Sequence, residues 1–141
     1  MSETRAEERS DLAKWYAAAN GVVLVLVGFL GFVENPIVGM PEWTPIFTAD
    51  MMHNVVHVAT GLLAFFIAFG LSGNQRANGL IGFGVLYALI LIVGVVSPDM
   101  FGLMDMAPMN AADHVLHLVL AGGALAVGFA SRSSTGVRRT A

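Results

Sequence analysis

Residues 51–70 read MMHNVVHVATGLLAFFIAFG: two histidines one helical turn apart, then a run of apolar and small residues with no charge anywhere in the stretch. At 1.5 Å per residue, about 20 residues of helix cover the hydrocarbon thickness of a bilayer, about 30 Å. The segment is therefore fit for lipid and carries its polar side chains at one mouth. Three more blocks have the same character: Leu12–Val33, Ala77–Val96 and Ala111–Ala130. Lys14 and Asp113, each near a block's end, are their only Lys, Arg, Asp or Glu residues. The 141-residue chain is 56% hydrophobic and 12% charged, with a mean hydropathy of +0.72; a soluble domain carries about 25% charged residues. The pattern predicts an all-α integral membrane protein.

Its expected organisation is an N-terminal tail over 1–11, a four-helix transmembrane domain over 12–131, and a C-terminal tail over 132–141. The helices are placed at 12–33, 51–71, 77–96 and 111–130. The first is read as retained rather than as a secretory signal, because it is long and no small-x-small site follows GFVENP. There are no cysteines, which excludes disulfides and thiolate metal sites.

The seven basic residues lie on one side of this arrangement. Arg5, Arg9 and Lys14 precede or open the first helix, Arg76 falls between the second and third, and Arg132, Arg138 and Arg139 follow the fourth. The other two connections hold Glu34, Glu42, Asp50, Asp99, Asp105 and Asp113 and no base. The positive-inside rule then puts both termini in the cytoplasm of a bacterial plasma-membrane protein and the acidic loops outside.

The halves also resemble one another. A shift of sixty residues sets Asp50 on Asn110, His53 on Asp113 and His57 on His117. Two tandem hairpins of the same orientation would form a parallel repeat, packed as a compact bundle through small residues such as Gly21, Gly28 and Gly128.

Asp50 and Asn110 are good N-caps for the second and fourth helices. His53 and His57 share a face by i, i+4 spacing, and His114 and His117 by i, i+3. If those faces turn inward, as intramembrane polar groups usually do, four imidazoles and the Asp113 carboxylate meet near the outer surface. Several readings stay open. The histidines would brace the halves by hydrogen bonds, or His53, His57, His114, His117 and Asp113 would hold copper or zinc in the neutral-imidazole form that binds metal. Alternatively His57 and His117 would be opposed axial ligands of a haem, or the cluster would take a lipid or quinone head group. Seven of the eight methionines lie in or beside the outward loops, and MFGLMDMAPMN has the thioether density that suits Cu(I). Methionine also serves as a flexible filler.

The His-x-x-x-His spacing lacks the glutamate of zinc hydrolases, since Asn54 follows the first histidine. No charge stands at mid-membrane, and no basic surface suits nucleic acid. Asn20 and Tyr87, polar near helix centres, are each expected to make an interhelical hydrogen bond.

The segments GFLGFV, MMHNVVHVATGLLAF, GLIGFGVLYALILIVGV and NAADHVLHLVLAGGALAVGF together resemble the bacterial membrane family catalogued as domain of unknown function 4383. The resemblance covers roughly Gly21–Phe129 and rests on His53, Asn54 and His57 and on Asn110, Asp113 and His117. It implies a four-helix membrane protein and no activity. At His114 the family pattern has Asn, so His57 and His117 remain as the symmetric pair. The expected role is non-enzymatic: an accessory or scaffold protein in the lipid bilayer, within a larger membrane complex or a homo-oligomer. A copper- or zinc-binding protein is the alternative and a haem-binding electron carrier the third reading.

Overall fold

The computed structural model describes residues 2–133. Four helices carry the fold: α1 (Ser2–Leu30), α2 (Met51–Phe65, continued as a π-helical turn over Phe66–Gly70), α3 (Gly73–Val96) and α4 (Ala111–Ser131). All four are long and apolar enough to cross a membrane. They pack as two hairpins, α1 on α2 and α3 on α4, joined mainly where α1 meets α4.

Small residues set the close approaches. A Cβ on Gly61 of α2 would stand 2.9 Å from the Val25 backbone nitrogen of α1. One on Gly84 of α3 would stand 2.9 Å from that of Leu125 on α4. Backbone as well as side chain is in the way, so each hairpin depends on glycine at its seam. Leu24, Leu80, Phe83, Tyr87 and Leu120 fill the centre, with Ala64, Ala68, Ala121 and Ala124 between them. Large apolar side chains cover the outside instead, among them Leu26, Phe29, Leu62, Ile92, Val95 and Val119. That surface suits lipid rather than water.

Three boundaries depart from expectation. The N-terminal tail is helical from Ser2, because Glu, Ala and Arg are strong helix formers and no Gly or Pro interrupts the chain before Gly21. The same helix stops at Leu30 rather than Val33, where Asn35 takes over: its Nδ2 donates to Leu30 O (2.8 Å) and Val38 O (2.9 Å). Arg76 lies inside α3 rather than in a loop, since α3 begins at Gly73 in a left-handed conformation (φ 49°). Its buried guanidinium donates to Ser10 O (3.2 Å), Ser10 Oγ (3.0 Å) and Leu71 O (2.5 Å), which ties the start of α3 to α1. Of the expected C-terminal tail, residues 134–141 lie outside the described residues.

The long connection from α1 to α2 is folded over the bundle end. It contains a two-residue parallel pair, β1 (Val38–Gly39) with β2 (Phe47–Thr48), around a 3₁₀ turn at Pro41–Trp43.

Candidate metal centre

The starts of α2 and α4 place the polar side chains, and local capping fixes both. Asp50 accepts a hydrogen bond from His53 N (2.9 Å) as the N-cap of α2. Asn110 accepts from Asp113 N (3.0 Å), and Asp113 Oδ2 accepts in return from Asn110 N (2.7 Å), a capping box. These caps set the helical phase, and the phase points His53, His57 and His117 inward, each 2% exposed.

The three rings form one cluster. Their centroids are 4.4 Å apart for His53 and His57, 5.9 Å for His53 and His117, and 6.2 Å for His57 and His117. One nitrogen from each lies within 4.8 Å of the others, close enough for a single ion to reach all three at a metal–nitrogen distance of about 2.1 Å with small rotamer adjustments. Among the described residues, four buried ring nitrogens of these three histidines have no hydrogen-bond partner: His53 Nδ1, both nitrogens of His57, and His117 Nδ1; His114 Nδ1 is likewise unmatched. A buried polar group without a partner costs about 1–3 kcal/mol, so the fold maintains this arrangement at a loss unless something else occupies it.

The other two expected ligands go elsewhere. Asp113 Oδ2 is taken by Asn110 N and by Thr48 Oγ1 at 2.9 Å, while the same Thr48 oxygen stands 2.7 Å from Pro108 O. Asn110 Nδ2 also donates to Ile46 O (2.9 Å). Asp113 thus clasps the α1–α2 connection to the start of α4. His114, half-buried, turns toward α3 instead: a Cβ on Gly94 would meet its Cε1 at 3.4 Å. An i, i+3 step is about 60° short of a full turn, enough to move a side chain to the neighbouring face.

Beside the rings is a cavity of about 80 Å³, lined by the three histidines with Val56, Tyr87, Ile90, Met100, Leu103, Met104 and Met109. Below it the Tyr87 hydroxyl and Thr60 Oγ1 share a hydrogen bond (2.7 Å), closing the floor. Tyr87 therefore makes the interhelical bond expected of it, whereas Asn20 Nδ2 has no partner among the described residues. The space suits an ion with one small ligand. It does not suit a haem: His53 stands against both proposed axial rings, and a macrocycle is far larger than the cavity.

Sequence reasoning did not single out Thr48 or Thr60. Thr48 is distant in sequence from Asp113, and no local signal links them. Thr60 lies one turn beyond His57 and was legible only as a small residue in an apolar helix.

The family model described as Domain of unknown function (DUF4383) matches residues 14–130. No curated protein and no solved structure matches the chain.

Proposed function

The chain belongs to the DUF4383 family, and on that premise we propose that it is a small multi-pass protein of the bacterial plasma membrane that holds one transition-metal ion among His53, His57 and His117. One observation carries this reading: among the described residues, four buried ring nitrogens of these histidines have no hydrogen-bond partner, two of them on His57. Bracing by the histidines would instead leave those nitrogens hydrogen-bonded. The donor set fits, since imidazole suits copper and zinc. The ring of His53 also faces the backbone of Thr48 on its other side, the kind of contact that orients a metal-bound histidine.

Asp113 is then a structural clasp rather than a ligand. No side chain of the centre is placed as a general base, so the proposed role is binding rather than catalysis. Basic residues at one end of the bundle and acidic loops at the other support cytoplasmic termini, with the centre on the outer side. The bilayer is the surrounding partner, and apolar helix faces would allow sideways docking in a larger complex or with a second copy.

The test is to purify the protein in detergent without chelator or nickel affinity and measure metal per chain. One copper or zinc per chain is expected, lost in His57→Ala and His117→Ala. A wild-type protein that is metal-free as isolated and takes up neither ion on addition overturns the reading. Orientation is read separately: a reporter fused after Ala141 should be cytoplasmic, and a periplasmic signal contradicts it.

A further inference from the structure

Two features of the cavity go beyond the three histidines: the sulfur on its other wall and the absence of any acid in its lining. Met104 and Met109 are buried and Met100 is half-buried, and all three line the same space as the imidazoles. The connection from α3 to α4 is specifically shaped to bring them there. Met100 and Phe101 are consecutive non-glycine residues in left-handed conformations (φ 52° and 58°), followed by Gly102 (φ 88°). Such conformations are unfavourable for L-residues and persist only when their surroundings hold them. Here Ser97 Oγ donates to Asp99 Oδ1 (2.6 Å) and accepts from Phe101 N (3.1 Å), while Asp99 O accepts from Gly102 N (3.1 Å) and Met104 N (2.8 Å). The turn sends Phe101 outward and keeps Met100 and Met104 in the lining of the cavity.

A methionine serving only as filler would close the gap it faces. Met109 packs its sulfur and methyl over Gly94, yet a cavity of about 80 Å³ remains among these methionines and the histidines, room for an ion. Charge points the same way. Among the described residues no carboxylate lines the cavity; Asp50 and Asp113 act on His53 from beyond it. The cost of placing an ion in a poorly polar site rises with the square of its charge, so neutral donor atoms favour a monovalent ion over a divalent one, an effect that Asp50 and Asp113 beside His53 reduce. Thioether sulfur is a soft ligand that selects Cu(I).

Resting on the three-histidine reading, we infer that the ion is Cu(I), bound by His53, His57 and His117 together with thioether sulfur from Met104 or Met109. The centre is thereby a cuprous site at the outward end of the bundle, with the methionine loop as its cover.

The experiment titrates metal-free protein in detergent with Cu(I), kept reduced by ascorbate, against a chromogenic Cu(I) chelator. Zn(II) is titrated against a zinc indicator in parallel, using wild type and Met104→Leu/Met109→Leu. Leucine matches methionine in volume and is tolerated in cores. The wild type should take one Cu(I) per chain and show a sulfur shell in its copper X-ray absorption spectrum. In the double variant Cu(I) affinity should fall at least tenfold and the sulfur shell should vanish, while any Zn(II) affinity stays within twofold. A wild-type Cu(I) spectrum without sulfur overturns the inference whatever the variant does, as does an unchanged Cu(I) affinity in the variant. In both cases zinc or nitrogen-ligated copper leaves the three-histidine centre standing. If the wild type binds neither ion, both readings fail together.

Discussion

Two sets of buried polar side chains sit at the same end of this bundle and are treated oppositely by the fold. Around Asp113 the capping and clasp groups are matched: the carboxylate accepts from Asn110 N and Thr48 Oγ1, and Asn110 reaches across to Ile46 O. Around His57 neither ring nitrogen has a partner among the described residues, although the side chain is as deeply buried. A chain that can satisfy one cluster so fully, a few residues along, has the means to satisfy the other. On the metal-binding reading proposed above, the difference separates groups that hold the structure together from groups kept ready for a ligand.

That contrast breaks most visibly at the histidines. Replacing His117 by Ala should lower metal affinity by about a thousandfold or more, about 4 kcal/mol for one of three ligands, as read by competition with a metal indicator. Retention of wild-type affinity would move His117 out of the centre. The next largest effect belongs to the clasp. Asp113→Ala leaves the Asn110 backbone N–H without its acceptor and the Thr48 hydroxyl with Pro108 O alone, and should cost about 2 kcal/mol of stability. In thermal denaturation the loss should be the same with and without metal. A loss seen only in the metal-loaded protein would make Asp113 part of the centre after all.

A smaller change sharpens the same boundary. Thr48→Val removes one hydrogen bond from the clasp and should cost about 1 kcal/mol, with metal per chain unchanged by elemental analysis. Smallest of all should be His114→Ala, which faces α3 outside the cluster; stoichiometry should stay at the wild-type value and stability should move by less than about 1 kcal/mol. Loss of the ion in that variant would contradict the three-ligand assignment. Acidification tests the donors as a group: protons compete with metal for imidazole, so lowering the pH should release the ion, and binding that persists in acid would argue for a different ligand set.

Much of this was legible in the chain because it is local. Long uncharged blocks give the four helices, Asp50 and Asn110 cap where their residue types say they should, and i, i+4 spacing brings His53 onto His57. What failed to show is what depends on contacts distant in sequence. Asp113 and His114 stand beside each other, yet only Thr48 and the α3 neighbour decide that one clasps a loop and the other faces Gly94. Arg76 read as a loop charge because a short polar stretch looks like a turn; its burial depends on Ser10 from the other hairpin. The two-residue strands near Val38 and Phe47 are too short to leave any period.

The central claim is that the histidines hold an ion rather than brace the helices, and one melting experiment separates the two most directly. Metal-free wild type and His57→Ala would be denatured in detergent with and without metal at about a hundred times its dissociation constant, where binding adds about 2.7 kcal/mol. The account predicts a clear rise in Tm for the wild type on adding metal, none for His57→Ala, and metal-free variants at least as stable as metal-free wild type. No rise in the wild type, together with a metal-free His57→Ala that melts well below it, would contradict the account and make the histidines structural.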